Sequence, residues 1–214
     1  MKKKYEKEYH LKKHDYLYNN QEYYLVRARV ALTKYFKGIK IKSSILDYGC
    51  GLGQNIFLVH NSIGYDVSKF ALDFCKRKGI RVTKNLKNLK KNSFDVVFSC
   101  EVLEHLENPL KELKIMKSKL KEKGKLILTV PLEKWKTPKL KDDNQHLYRW
   151  DYQTITNLLL RAGFLPIDYK IMRMTGFKKF LPFNKISFKL YLFLIKCLAI
   201  IVGSKHIKVI AVKK

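Results

Sequence analysis

Cysteine pairs, proline-rich segments and acidic residues are scarce in this chain of 214 residues, and each shortage argues against a class of protein. The four cysteines show no C-x-x-C pair and no regular spacing, which argues against a zinc site or a disulfide framework. No segment rich in proline, glycine or serine divides the chain, and no internal repeat is present. We therefore expect a single globular domain.

Acidic residues number only 18 against 45 lysines and arginines, which gives a formal net charge of +27. Such a surface attracts phosphate backbones without regard to sequence. Only seven of the basic residues are arginines, and the lysines are spread along the whole chain. Because the planar fork of arginine suits specific phosphate recognition, this pattern favours compositional bias over a dedicated nucleic-acid surface. Attraction to anionic substrates or to an anionic membrane follows in either case.

Long hydrophobic runs are also missing. The most apolar stretch, at about 184–202, is interrupted by Lys189 and Lys196 and is too short and too charged to span a bilayer. The two lysines lie seven residues apart, on nearly one side of a helix, so the stretch is predicted to be an inserted amphipathic helix. Three alternatives remain open: the helix packs on the domain, it lies in a membrane surface, or it forms a dimer.

The N-terminal residues 1–7 are charged and are followed by no apolar core, which is not the pattern of a secretory signal. The predicted location is therefore the cytoplasm. If the helix at about 184–202 binds lipid, the protein would also be peripheral at the inner face of the membrane.

Glycine, although scarce overall, is concentrated in one motif. Gly49, Gly51 and Gly53 follow an apolar strand pattern that contains Asp47, and helix-compatible residues come next. Glycines at a turn from strand to helix allow unusual backbone conformations, bring the main chain close to a ligand and expose amide groups at a helix N-terminus. We therefore expect a nucleotide-like cofactor at this turn.

A second acidic residue, Asp66, ends the next short apolar run, 19 residues after Asp47. A carboxylate at this spacing after a glycine turn can accept hydrogen bonds from both ribose hydroxyls of an adenosine-containing ligand. The turn lacks the Lys-Ser/Thr ending of a P-loop and the third-glycine spacing of G-x-G-x-x-G. The pattern therefore favours an adenosine that carries a small group over a nucleotide with a diphosphate.

Together these residues resemble motif I (D-x-G-x-G-x-G) and the acidic second motif of the class I S-adenosylmethionine-dependent methyltransferases. The resemblance extends from about residue 27 to the C-terminus and implies S-adenosyl-L-methionine as the cofactor. Three further segments agree with the family in order, as its fourth strand, its fifth strand and a helix ending in Ala-Gly-Phe: 94–100, 124–131 and 158–164.

Alternating strand and helix patterns predict an α/β fold, a Rossmann-like doubly wound sheet of about seven strands with helices on both faces. The resemblance implies that the last strand is antiparallel and that residues 1–43 form a helical lid before the cofactor-binding domain at 44–214. The first predicted helix is at about 21–36. The other predicted elements are strands near 44–48, 62–66, 80–83, 94–99, 125–130, 165–173 and 206–212, and helices near 53–59, 68–78, 109–122 and 151–162.

The loop after the fourth strand carries the pattern E-x-x-E-H, made by Glu101, Glu104 and His105. In an open α/β sheet, ligands bind at the carboxyl ends of the strands near the switch point, where this loop belongs. One helical turn could direct both carboxylates and the imidazole to one point, a donor set that suits Mg²⁺, Mn²⁺ or Zn²⁺. His146, in the loop after the fifth strand, could complete the set.

This arrangement is similar to two metal-using branches of the family, the small-RNA 3′-end 2′-O-methyltransferases and the ubiquinone-biosynthesis O-methyltransferases. The resemblance implies Glu101, Glu104, His105 and His146 as ligands of a divalent metal. In metal-independent members the same Glu-His braces the loop and packs beside the cofactor. Methylation of a hydroxyl also needs a base, so we take His146 as the first catalytic candidate, then His105, with Glu101 beside them. His146 could instead be a loop histidine that fixes Tyr148 or Trp150.

The cofactor site that the resemblance implies includes the segment between strands three and four, where Asn85 is the best match to an adenine contact. Asn85 could equally be an exposed turn residue. The predicted cofactor-binding residues are Asp47, Gly49, Cys50, Gly51, Gly53, Asp66, Val67, Asn85, Leu86, Ser99 and Cys100.

The function that these observations favour is methyl transfer from S-adenosylmethionine to an oxygen of a small molecule, a sugar or a lipid-linked acceptor. One alternative is an RNA 2′-O-methyltransferase that uses a metal at the E-x-x-E-H loop. A second alternative is a non-catalytic basic module that binds a membrane or nucleic acid.

Overall fold

The computed structural model of the chain describes residues 5–132 and 146–214. Residues 1–4 and residues 133–145, which precede His146 in the sequence, lie outside the described part of the chain.

A seven-stranded sheet with strand order β3-β2-β1-β4-β5-β7-β6 organises the domain. All its pairs are parallel except those of β7, which is antiparallel to both β5 and β6. The predicted fold class, with an antiparallel last strand, is confirmed. The strands are β1 Ile45–Tyr48, β2 Ser62–Tyr65, β3 Val82–Thr83, β4 Phe94–Cys100, β5 Leu120–Pro131, β6 Phe164–Met172 and β7 His206–Lys213.

The strand order reverses between β1 and β4, which are neighbours in the centre of the sheet. Every residue of β1 is buried, and β4 is buried except at Asp95 and at its last residue, because helices cover both faces of these strands. Ligands of such sheets bind in the crevice outside the carboxyl ends of the strands at this switch point. The loops after β1 and β4 are therefore placed to form a site.

Seven helices and two short 3₁₀ turns surround the sheet in the described residues, and polar side chains fix several of their starts. Asn20 accepts a hydrogen bond from the Tyr23 amide at the start of the second helix, and Asp151 forms a capping box with Thr154. The helices are α1 Lys7–Asn19, α2 Gln21–Lys34, α3 Lys69–Arg77, α4 Pro109–Lys119, α5 Tyr152–Ala162, α6 Phe183–Ile186 and α7 Phe188–Ile201, and the 3₁₀ turns are Leu86–Asn88 and Leu103–His105.

One predicted helix is absent, one ends earlier than predicted, and one is present but is not the first helix of the chain. The segment at 53–59 forms consecutive tight turns, in which Ile56 and Val59 each donate to the carbonyl three residues earlier, and Gly53 has a φ of +76°. The predicted helix at 109–122 ends at Lys119, because the next residues pair with β4 as the start of β5. The helix near 21–36 is not the first, since α1 precedes it.

The hydrophobic core lies on both faces of the sheet. On one face α4 and α5 contribute Leu113, Met116, Ile155 and Leu159. On the other face residues of α2 and α3 pack against β1 and β4. A third cluster joins α1, α2 and α7 and extends the second face away from the sheet.

The predicted amphipathic segment forms the short helix α6 and the longer helix α7, which packs on the domain. Tyr191, Ile195 and Ala199 of α7 are fully buried, and Tyr191 and Ile195 lie in the cluster with α1 and α2. None of the described helices has the length and apolar character that crossing a membrane requires.

Asp95 of β4 ties the start of the strand to its surroundings. One carboxylate oxygen accepts from the amide and hydroxyl of Ser44, each at 2.8 Å, and the other accepts from Lys121 Nζ at 2.8 Å. Burial raises the pKa of Asp95, but the hydrogen bonds from Lys121 and Ser44 outweigh this effect and lower the pKa to about 2.

We expect Asp95→Asn to lower the free energy of unfolding by about 1 kcal/mol at neutral pH, because charge-assisted hydrogen bonds are lost. An acid whose pKa is lowered on folding stabilises the protein above its unfolded pKa, which is about 3.9 for aspartate. The stabilisation is therefore lost as the pH falls from about 4 towards 2, where variant and wild type should converge. Urea unfolding over this pH range measures the difference.

The control is Asp168→Asn. Asp168 forms an exposed ion pair with Lys170 at 3.4 Å, which contributes little. Equal losses in both variants, or a difference that does not change with pH, would contradict the assignment.

Candidate active site

A cavity of about 570 Å³ opens at the carboxyl ends of β1, β2 and β4. The glycine turn after β1 and the loop after β4 form part of its wall, as expected at a switch point. The N-terminal segment and α1 form another part. The lining residues that matter below are Tyr5, Tyr9, His10, His14, Arg27, Gly49, Cys50, Gly51, Asp66, Val67, Cys100, Glu101, Glu104, His105 and His146.

The glycine turn approaches the loop after β4 very closely. Gly49 has a φ of +81°, and a Cβ atom there would lie 2.4 Å from a methyl group of Val102. Gly51 has a φ of +51°, and a Cβ atom there would meet no protein atom within 4 Å. The turn therefore needs glycine at residue 49 for packing, whereas residue 51 borders open space in the cavity.

The amides of this turn are bonded within the protein. Gly49 and Cys50 donate to the carbonyl of Tyr65 at 2.8 and 3.0 Å, and Gly51 donates to Asp66. The expectation that these amides stand at a helix N-terminus was wrong, because no helix begins after the turn. The turn is consequently not a phosphate cradle, which agrees with the sequence argument against a diphosphate ligand.

Asp66 lies at the cavity wall with a fixed orientation. Its Oδ2 accepts from the Gly51 amide at 2.8 Å, and its Oδ1 accepts from the Ser68 amide at 2.9 Å. Each carboxylate oxygen can accept a second hydrogen bond. The side chain can thus receive two neighbouring hydroxyl groups while both amide bonds stay intact.

Asp47 is a buried carboxylate at the end of β1, only 1% exposed. Among the described residues neither of its oxygens has a hydrogen-bond partner. Burial, and then the negative charge of Asp66, raise the pKa of Asp47 well above its usual value. A buried carboxylate in this state favours a cationic donor.

The N-terminal segment is held over the cavity through Glu6. Its carboxylate accepts from the amides of Lys69 and Phe70, both at 3.1 Å, and from the Ser68 hydroxyl at 3.3 Å. The two amides are orphan groups at the N-terminus of α3, where a negative charge is favoured. The described part of the predicted lid is therefore docked on the helix that follows Asp66.

The lid brings aromatic rings into the cavity wall. The Tyr5 ring lies 6.0 Å from that of His105, and the His10 ring stacks on Phe70 at 5.8 Å. Burial lowers the pKa of His14 to about 4 and raises that of Tyr9 to about 12. Both side chains are therefore neutral at physiological pH.

Three of the four predicted metal ligands converge at one point, two from the E-x-x-E-H loop and one, His146, from the segment before α5. One ligand atom each of Glu104, His105 and His146 lies within 4.8 Å of the others. The carbonyl of Glu104 accepts from the Leu147 amide at 2.8 Å, which holds the segment after His146 against the loop. The structure does not bring Glu101 to this group.

Glu101 instead contacts the last strand. Its φ is +56°, and its Oε1 lies 3.0 Å from Nδ1 of His206, the first residue of β7. Glu101 still lines the cavity, so it remains near the site as a predicted catalytic residue.

Five predicted cofactor-binding residues do not line the cavity. Asn85 is exposed, and its side chain accepts from the Lys87 amide in a local turn, as the turn alternative expects. Ser99 is buried and donates to the Tyr48 carbonyl, which ties β4 to β1. Beside these two, the set comprises Asp47, Gly53 and Leu86.

A family model described as a methyltransferase domain matches residues 18–168. This range includes β1 to β5, the glycine turn, Asp66 and the E-x-x-E-H loop.

The chain belongs to the methyltransferase domain family.

Known structures share the fold of this methyltransferase at low sequence identity. A protein described as a methyltransferase from Bacillus halodurans is 17% identical with a TM-score of 0.60, covering 85% of this chain and 98% of the other. Haemonchus contortus phosphoethanolamine N-methyltransferase 2, in complex with S-adenosyl-L-methionine, is 19% identical with a TM-score of 0.60, covering 93% and 59%. The [4+2]-cyclase SpnF is 16% identical with a TM-score of 0.61, covering 87% and 80%. No curated protein sequence matches the methyltransferase significantly.

Sequence reasoning missed two functional candidates in the methyltransferase. Arg27 of α2 lines the cavity, stacks over the Phe177 ring at 3.9 Å and donates to the Tyr23 hydroxyl at 3.3 Å. No described carboxylate forms an ion pair with it. His206 is the partner of Glu101. The rarity of arginine in this chain is the sequence feature that could have drawn attention to Arg27. His206 has no such feature, and only the tertiary fold shows that it lies beside Glu101.

The buried carboxylate of Asp47 leads to a test of stability against binding. We expect Asp47→Asn to raise the free energy of unfolding of the ligand-free methyltransferase by about 1 kcal/mol, because a costly buried charge is removed. An acid whose pKa is raised on folding destabilises the protein once the pH exceeds its unfolded pKa. The gain should therefore be absent at low pH and grow as the pH rises above about 4.

Thermal or urea unfolding between about pH 4 and 8 measures this gain, and binding of S-adenosylhomocysteine to the same variant should weaken. A variant that is less stable than wild type at neutral pH would show that Asp47 already has its partner in the free protein.

Proposed function

We propose that this S-adenosylmethionine-dependent methyltransferase transfers the methyl group to an oxygen of a small molecule, a sugar or a lipid-linked acceptor. The observation that carries the proposal is the arrangement of the cavity. A carboxylate suited to ribose, Asp66, borders the same space as two histidines, His105 and His146. The cavity therefore offers both a cofactor side and a basic side.

The described residues fit the cofactor. Asp66 has acceptor capacity left for two hydroxyl groups, and the space beside Gly51 is open. The methionyl end of the cofactor carries an ammonium and a carboxylate. The guanidinium of Arg27 lines the cavity, has no described carboxylate partner and complements the carboxylate of the cofactor. Asp47 does not line the cavity, and it complements the ammonium through its charge alone. When bound, the cofactor supplies an electrophilic methyl group on a sulfonium.

The protein's part in the reaction is positioning, exclusion of water and removal of a proton. The N-terminal segment, docked through Glu6, covers the cavity with neutral aromatic rings and so limits access of water. An acceptor hydroxyl must lose a proton, and an imidazole is suited to take it near neutral pH. His146 is the first candidate for this base, and His105, whose ring centroid is 4.8 Å away, is the second.

Nitrogen is the competing acceptor atom, since one structural neighbour is a phosphoethanolamine N-methyltransferase. An aliphatic amine is protonated at neutral pH but loses its proton readily, whereas a hydroxyl holds its proton far more tightly and depends more on a base. The two histidines are therefore our reason for proposing oxygen.

We expect Asp66→Ala to weaken binding of S-adenosylhomocysteine at least about tenfold, because two hydrogen bonds to a charged acceptor are lost. The matched control is Asp73→Ala, an aspartate of α3 whose side chain forms an exposed ion pair with Lys76 at 3.7 Å. Isothermal titration calorimetry measures both variants, and circular dichroism checks that they fold. Asp66→Asn tests the charge while keeping an acceptor.

Wild-type protein that binds neither S-adenosylmethionine nor S-adenosylhomocysteine would sink the enzyme assignment. The non-catalytic basic module would then be the function to pursue. If Asp66→Ala binds S-adenosylhomocysteine as tightly as wild type, Asp66 is not the residue that binds the ribose.

A second candidate function is 2′-O-methylation of RNA with the help of a divalent metal. The observation in its favour is the convergence of Glu104, His105 and His146. These residues supply one carboxylate and two imidazoles, a set that suits Mn²⁺ or Zn²⁺, and they leave room for further ligands from a substrate. A metal held there would lower the pKa of an acceptor hydroxyl.

If this candidate is right, Mn²⁺ should bind the metal-free protein with a heat that is lost in Glu104→Ala and kept in Glu107→Ala. Glu107 is an exposed glutamate of the same loop and serves as the matched control. Calorimetry after EDTA treatment gives the result. RNA binding should also weaken steeply with salt. Absence of a Mn²⁺ heat in wild type, or an equal loss in both variants, would contradict the metal.

A further inference from the structure

Helix α7 has two apolar sides, and only one of them is used inside the protein. Tyr191, Ile195 and Ala199 are fully buried and fix the helix on the domain. On the opposite side Phe193 is 60% exposed and Ile200 is 56% exposed. These two residues are seven apart, or about two helical turns, and therefore lie above one another.

The exposed side continues beyond both ends of α7. Ile186, at the end of α6, is 75% exposed, and Ile201 and Val202, at the C-terminal end, are 80% and 59% exposed. Single exposed apolar residues are normal, but several large ones on one helix and at its ends are typical of an interaction surface. We call these residues, Ile186, Phe193, Ile200, Ile201 and Val202, the α7 face.

Lysines are interleaved with the α7 face. Lys189 and Lys196 are exposed and share the spacing of seven with Phe193 and Ile200. Long lysine side chains can lay their methylene groups on an apolar surface while the ammonium group reaches outward. Asp168 is the last acidic residue of the chain, and the 46 residues after it contain eleven lysines and arginines. The whole region therefore carries one sign of charge.

A groove of about 670 Å³ lies between the junction of α1 and α2 and the segment that leads into α6, the helix that ends at Ile186. Lys178, Lys179 and Lys185 line it together with the apolar residues Leu181 and Pro182. Glu22 also lines the groove and lies 3.7 Å from Lys185 in an exposed ion pair, which leaves an excess of positive charge. Three lysines around a groove suit an anionic group such as a phosphate.

We propose that the α7 face and the lysines of this groove dock on the surface of an anionic lipid bilayer. At 14 residues, α7 is about 21 Å long, shorter than the roughly 30 Å hydrocarbon layer, so it lies in the plane of the surface. Phe193, Ile200 and their neighbours enter the boundary of the acyl chains, while the lysines contact the head groups.

Charge decides between a bilayer and a second copy of the chain. A twofold dimer through the α7 face would place the same lysines of both copies close together without any acidic residue of this region between them. That repulsion is absent on an anionic bilayer, where every lysine is attracted.

Docking would bring the cavity close to the membrane. The same C-terminal region provides Phe177, which stacks on Arg27 of the cavity wall at 3.9 Å, and Phe188, which lies under Arg29 at 4.1 Å. A lipid-linked acceptor could therefore reach the site from the bilayer. This consequence rests on the proposed function, whereas docking does not.

The experiment is co-sedimentation of the full chain with vesicles, without cofactor or acceptor. One set contains phosphatidylcholine alone, and the other contains about 30% phosphatidylglycerol, enough to give a negative surface. We expect binding to the anionic vesicles and little binding to the neutral ones. Phe193→Glu/Ile200→Glu should weaken binding at least about tenfold, because the apolar contact is lost.

The matched control for the apolar row is Leu160→Glu/Ile167→Glu. These residues are 46% and 52% exposed on α5 and β6, outside the proposed surface, and the variant should bind like wild type. The contribution of the lysines is tested with Lys178→Gln/Lys179→Gln/Lys185→Gln. This variant should bind about a hundredfold more weakly, because each lysine near an anionic surface contributes about 1 kcal/mol to binding. Lys76→Gln/Lys87→Gln/Lys111→Gln removes the same charge elsewhere and should have a much smaller effect.

Three results would overturn the proposal. Folded wild-type protein that does not sediment with anionic vesicles is the first. Equal losses in the paired variants are the second, since they would show general attraction of a basic protein. A concentration-dependent dimer in analytical ultracentrifugation, abolished by Phe193→Glu/Ile200→Glu, is the third and would assign the α7 face to a second copy. Each result is independent of whether the protein binds S-adenosylmethionine.

Discussion

The contact between Gly49 and Val102 is the constraint on which the site depends. It presses the turn after β1 against the loop after β4 so closely that no side chain fits at residue 49. Both loops leave the sheet with an unusual backbone, since Gly49 has a φ of +81° and Glu101 a φ of +56°. The carboxylate of Asp66 is then anchored to the first loop, and His105 belongs to the second. Cofactor side and acceptor side are therefore set by the same packing.

Buried charges in this protein divide into those that are satisfied by the chain and those that are not. Lys208 donates to the carbonyls of Lys34 and Tyr35 at 2.9 and 3.2 Å, and Lys119 donates to those of Leu86 and Leu89. In the described structure Asp47 has no such partner. A buried carboxylate without a partner calls for an explanation, and the one that we propose is the nearby positive charge of a bound cofactor.

Much of the fold could be predicted because the central strands are short apolar runs and the motifs follow strand ends. We predicted a helix at residues 53–59, where the chain forms tight turns. The segment is too short for the spacing of its apolar residues to distinguish a buried helix from buried turns. Placement of His206 beside Glu101 depends on β7 returning antiparallel beside β5, a tertiary pairing that no local pattern encodes. Asn85 fits a turn as well as a binding site, and local hydrogen bonding decides for the turn.

Glu6 and Asp66 hold the same short stretch of chain from opposite sides. Asp66 accepts from the Ser68 amide, and Glu6 accepts from the next two amides. Opening the cavity consequently requires the loss of the Glu6 hydrogen bonds and of the ring contact between His10 and Phe70, while the seven-stranded sheet stays intact. Exchange of the spent cofactor can thus run at the rate of a local segment motion, far faster than any event that disturbs the core.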